Sequence, residues 1–153
     1  MAFNTVQALL SSVLTDKNLA FVALAAIYAA YCSVTVVAPK IVSVLGPQFS
    51  MLVGAVPYVI LVFVNIDPTP AWAPWGALLL PASVAVGFGA AVLWTGQGLY
   101  MSRCAIREAA LTGETVDAVT GRLNGYFWTA FQFNGAVGAL IAGVLRTVRF
   151  STL

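Results

Sequence analysis

The sequence predicts an all-α integral membrane protein, a single domain over residues 1-153 with four full transmembrane helices and a short N-terminal half-helix. Two observations predict it. The chain is 61% hydrophobic and only 8% charged, with a mean hydropathy of +0.95, against roughly 45–50% apolar and 25% charged in soluble domains. The charges are also segregated, leaving uncharged runs at 18–39, 41–66, 68–102 and 123–145. Each run is long enough to cross a hydrocarbon core that needs about 20 residues.

Taken in order, Met1 to Leu14 is apolar and helical in character but too short to span, and reads as the second half of a membrane helix. It carries two amides, Asn4 and Gln7. A first span at about 19–38 is alanine-rich and ends at Pro39, and the segment from Pro39 to Gly46-Pro47 reads as a connector with Lys40 at the headgroups. A second span at 49–66 contains Pro57, tolerated in a membrane helix where neighbours recover the freed carbonyl. Residues 67–75, with three prolines and two tryptophans, suit an interfacial hairpin. The third span, 75–101, ends in a glycine-rich, polar segment. The segment 103–122 is the one long polar stretch and is expected to form a short surface helix and a loop. The fourth span, 124–145, opens on Tyr126-Phe127-Trp128 and continues into a small-residue face.

Several function classes are excluded or weakened. A net charge of +2 with scattered basic residues argues against nucleic-acid binding. The chain has no histidine and two cysteines, Cys32 and Cys104, without metal-ligand spacing, so no metal site is expected. None of the expected spans contains Asp, Glu, Lys or Arg, which argues against a proton-coupled pump. Catalysis is not expected. Lys40, Arg103, Arg107 and Arg122 fall on one side and Lys17, Arg146 and Arg149 on the other, so the positive-inside rule is nearly balanced.

The chemistry concentrates in Gly87 to Tyr100. Gly87, Gly89, Gly96 and Gly98 are spaced like a nucleotide fingerprint only superficially, because no strand precedes them and the third glycine is misplaced. Small residues recurring every two turns favour close helix packing, as do Gly135, Gly138 and Gly143 in the last span. Trp94, Gln97 and Tyr100 are the candidate cavity contacts. Gln7, Asn4, Gln132 and Asn134 are amides at or near membrane depth, where an unpaired polar group costs several kcal/mol. They serve either as interhelical hydrogen bonds or as ligand contacts. No cofactor is required; lipid or pigment is the ligand class such amides would suit.

Four segments in order carry a resemblance: AFNTVQALLSS at 2–12, the stretch 25–54 running from AAIYAAYCSV to FSMLVG, PASVAVGFGAAVLWTGQGLYMS at 81–102, and GRLNGYFWTAFQFNGAVGALIAGVL at 121–145. Together they resemble the Unc-93-like branch of the major facilitator superfamily, whose members include ion-channel regulators and trafficking partners. GFGAAVLWTGQGLYMS is the most specific piece. The resemblance implies an incomplete N-terminal bundle, running from the end of the first helix through the fifth. Superfamily transport rocks two bundles about a central site, and this sequence corresponds to less than one.

Three readings follow. The first is a non-catalytic accessory subunit in a bilayer, packed within a larger integral membrane complex; photosynthetic and respiratory assemblies are candidate hosts, and no residue selects between them. The second is a transporter or ion-channel-regulatory module completed by a partner or belonging to a longer chain. A small four-helix membrane transferase is a distant third, since the charged cluster at its helix ends is missing.

Overall fold

The structure, a computed structural model, describes residues 17–64 and 74–151. Its elements are α1 (Lys17–Thr35), α2 (Ala38–Leu45), α3 (Pro47–Val64), α4 (Pro74–Thr112) and α5 (Val116–Ser151), and no strand occurs among the described residues. The N-terminal half-helix, with Asn4 and Gln7, and most of the expected 67–75 hairpin lie outside the described residues.

Helix α4 is the hub. Both α1 and α3 pack along its first two thirds, whereas among the described residues α5 meets only α4, and the α1 and α3 backbones do not approach one another. Ala20, Ala23 and Ile27 on α1 and Leu79, Ala82 and Val86 on α4 are buried together with Leu61 of α3. The first two sets share the i, i+3, i+7 spacing that lines one helix face, so small and medium side chains interlock along a single seam. A second, smaller core joins Ala105 and Ala109 of α4 to Val119 of α5, with Leu123 packed against it.

Among the described residues, three helical segments are long and apolar enough to cross a membrane: Asn18–Thr35, Pro47–Val64 and Ala77–Thr112. Four were expected. The fourth falls within α5, which is helical throughout 124–145 but is not among those three.

Two connectors also differ from expectation. Residues 38–45 form a helix because Pro39 sits in its first turn, where a missing N–H is harmless. The turn falls instead at Gly46-Pro47. There Gly46 adopts φ +80, its N–H bonds the Val42 carbonyl at 2.9 Å, and its own carbonyl accepts from both the amide and hydroxyl of Ser50. Likewise most of the 103–122 stretch is helical, because its Arg, Glu, Ala and Leu residues are good helix formers and α4 runs on to Thr112.

Only residues 113–115 separate α4 from α5. Gly113 ends α4 at φ +74 with its N–H on the Ala109 carbonyl at 2.9 Å, and the Thr115 hydroxyl accepts from the Ala118 N–H at 3.3 Å to start α5. Arg122 then clips the hairpin, donating to Glu108 and to Glu114 at 2.8 Å each.

Candidate functional site

Three glycines of α4, Gly87, Gly89 and Gly96, lie at close contacts with neighbouring helices. A Cβ on Gly89 would lie 2.6 Å from the Gly54 carbonyl oxygen of α3, and one on Gly54 would lie 2.6 Å from the Gly89 carbonyl oxygen. The two backbones therefore cross at a reciprocal glycine pair. Gly87 faces the Ile27 carbonyl and the Ala30 side chain of α1, while Gly96 faces the Pro47 carbonyl at 3.1 Å and Ser50 at 3.2 Å. Because Gly54 meets Gly89 and Pro47 meets Gly96, α3 runs antiparallel to α4. An added Cβ at Gly98, Gly135 or Gly143 would meet nothing within 4 Å, and Gly138 is buried.

Trp94 stands at the junction of three helices. Its indole stacks on Trp128 with ring centroids 6.0 Å apart and 7° between planes, and takes Phe131 edge-on at 5.5 Å and Phe127 edge-on at 6.3 Å. On its other side it is a hydrogen-bond partner of Tyr58 on α3. An indole has one donor and no acceptor, so its N–H serves the Tyr58 hydroxyl while its faces serve α5. This cluster is what holds the upper part of α5 against α4.

Gln97 is half-buried and has no hydrogen-bond partner among the described residues. Tyr100 is exposed and turns to a different place, a cavity between α4 and the α2–α3 turn in which neither Trp94 nor Gln97 takes part. The three candidate contacts thus share a helix but not a pocket. Gln132 and Asn134 are exposed on α5, flanking Phe133, which is 70% exposed. Cys32 and Cys104 are free thiols.

Sequence reasoning missed Tyr58 as the partner of Trp94, the role of Phe127, Trp128 and Phe131 as the opposite wall, and the pairing of Gly54 with Gly89. The aromatic signal was present: Phe127, Trp128 and Phe131 recur at i, i+1 and i+4, and so lie toward one face of a helix. The arrangement supplies close backbone contact, an aromatic lock and an uncovered amide-bearing face; among the described residues it assembles no set of acid, base and nucleophile.

The family described as ion channel regulatory protein UNC-93 matches residues 14–134. UNC93-like protein 3 of Arabidopsis thaliana is 30% identical over 141 residues, covering 92% of this chain and 29% of that protein. Protein unc-93 homolog A of Bos taurus is 31% identical over 145 residues, 94% of this chain and 30% of that relative. The Caenorhabditis elegans protein unc-93, whose name assigns it to potassium channel regulation, is 27% identical over 151 residues, 98% of this chain and 20% of its own length. The chain therefore spans less than a third of these relatives. No solved structure matches it.

Proposed function

Because the chain belongs to the UNC-93 family of ion channel regulatory proteins, we propose that it is a multi-pass membrane module that regulates an ion channel by packing against it, with no catalytic step of its own. The observation that carries this reading is the outer face of α5. Gln132 is exposed there on the same side of the helix as the glycines Gly135 and Gly143, where an added Cβ would meet nothing within 4 Å, and Asn134 is exposed on the other side, about 200° around. In this reading residues 124–145 are a fourth span, in a bundle of the major-facilitator kind. An amide left unpaired in hydrocarbon costs several kcal/mol, so protein rather than lipid covers this face. Small residues beside Gln132 let a partner helix come close enough to pair with it.

The family names describe regulators rather than enzymes. They give no support to a photosynthetic or respiratory assembly as host, and that version of the accessory-subunit reading is not carried forward. Trp94 is proposed as the residue through which α4 transmits a partner's binding, since it touches both Tyr58 of α3 and the aromatic residues of α5, with Gln97, one turn on, as a second candidate.

Co-expression with a potassium channel tests the proposal. The chain should co-purify with the channel and change its current amplitude at least about twofold, and Gln132→Leu with Asn134→Leu should abolish both effects. An unchanged current together with no co-purification would refute it.

A further inference from the structure

We propose that the cavity between the α2–α3 turn and the end of α4 is a binding site for a phosphate-bearing anion at lipid-headgroup depth. The cavity is about 470 Å³ and is lined by Leu45, Gln48, Phe49, Tyr100, Arg103 and Arg107 on either side of the Gly46-Pro47 turn, within the roughly 300–1,000 Å³ of ligand sites. Its polar wall has a simple origin. Tyr100, Arg103 and Arg107 recur at i, i+3 and i+7, so two guanidinium groups and a phenol project from one face of α4.

Charge decides what the cavity can hold. Arg103 and Arg107 form no ion pair among the described residues: Glu108 and Glu114 are engaged by Arg122, and Asp117, the remaining described carboxylate, pairs with neither. Two uncompensated guanidinium groups facing one cavity are an anion site, and their planar forks favour phosphate oxygens. The opposite wall is the N-terminal turn of α3, whose partial positive charge adds to the same field. Depth decides where the anion comes from. Gln48 and Phe49 are in the first turn of one candidate span and Tyr100 to Arg107 lie toward the end of another, so the cavity sits where apolar helix surface meets water. Leu45 and Phe49 are exposed apolar side chains, and Phe49 is 54% exposed. They form a floor suited to the glycerol and first methylenes of a phospholipid. This inference does not depend on the channel-regulatory reading.

The test uses the full chain, purified in mild detergent and stripped of lipid, and titrated with short-chain phosphatidylglycerol, short-chain phosphatidylcholine and soluble glycerol phosphate. Phosphatidylglycerol should bind at one per chain, at least about tenfold tighter than phosphatidylcholine. Arg103→Gln with Arg107→Gln should remove that preference, and Lys40→Gln should keep it. Should glycerol phosphate bind as tightly as phosphatidylglycerol and with the same arginine dependence, the site stands and its ligand is soluble. Phe49→Glu, at an exposed position, places a carboxylate opposite the arginines and should abolish binding with the helix content unchanged. Equal binding of the two lipids, a preference kept by the double arginine variant, or one lost equally in Lys40→Gln would overturn the proposal.

Discussion

Replacing Gly54 by alanine puts the α3–α4 crossing under direct test. The added Cβ would sit 2.6 Å from the Gly89 carbonyl oxygen, 2.8 Å from the Leu93 Cβ and 2.9 Å from the Leu93 nitrogen, where ordinary contact begins near 3.4 Å. Two of those three neighbours are backbone atoms, which cannot swing aside, so the helices must part by something close to the 0.8 Å between 2.6 and 3.4 Å. Overpacking of this kind costs about 1–3 kcal/mol. Alanine recovers about 1 kcal/mol over glycine within a helix, leaving a net loss of about 0–2 kcal/mol. Gly98→Ala is the matched control on α4, since its Cβ meets nothing within 4 Å and only the helix-propensity gain remains. The helix-propensity gain is common to both, so Gly54→Ala should be less stable than Gly98→Ala by the overpacking cost, about 1–3 kcal/mol. Gly89→Ala should resemble Gly54→Ala, and the double variant should lose less than the two single losses combined, because one separation of the helices relieves both clashes. Unfolding in mild detergent, followed by tryptophan fluorescence, measures all four. Equal stability of Gly54→Ala and Gly98→Ala, or full additivity of the glycine pair, would refute the close-crossing argument.

Trp94→Leu removes three ring contacts, each worth about 0.5–1.5 kcal/mol beyond area burial, and should raise amide exchange in α5 while leaving the α1–α4 seam protected; equal loosening of α1 would contradict the assigned role. Ser83 has a fully buried hydroxyl with no hydrogen-bond partner among the described residues, so Ser83→Ala should stabilise the chain by about 1 kcal/mol in the same unfolding assay. Arg122→Gln should open the 113–115 turn to amide exchange, as should added salt, which screens its exposed ion pairs. Glu108, then Glu114, holds the Arg122 guanidinium above its ordinary value. A cation with a raised folded pKa contributes stability that is fully present below its unfolded pKa and is lost as pH rises through the folded one. That window lies above the ordinary arginine range, far from neutrality, so this contribution should not vary with deprotonation of Arg122 across neutral pH.

What could be read from the residues depended on how local the signal was. Composition and uncharged runs located α1, α3 and α4 to within a few residues at most ends, because bilayer thickness imposes length on apolar helices. Gly46-Pro47 was legible as a turn for the same local reason. The helical state of 38–45 was not, since Pro39 reads as a stop unless its place in a first turn is known. The continuation of α4 through 103–112 was hidden by polarity: charged side chains signal exposure, and a loop was inferred from exposure even though Arg107 to Leu111 favours helix. At the candidate site, Gly87, Gly89 and Gly96 stood out by spacing along one helix. Their partners Ile27, Gly54 and Ser50 could not, because which helix lies opposite is set by packing among distant segments. Trp94, Gln97 and Tyr100 looked like one constellation in sequence. Successive steps of three residues rotate each by about 60° around the helix, and the structure sends Trp94 to Tyr58 and α5 and Tyr100 to the arginine-lined cavity.

The mass of the native particle, extracted in mild detergent from the membrane in which the chain resides, tests the central claim most directly. If the uncovered α5 face is a contact surface for another membrane protein, the chain will migrate in a particle well above its own 16.0 kDa, with an integral membrane protein as the co-purifying component. A stable, monodisperse particle holding one chain and only lipid and detergent would contradict it.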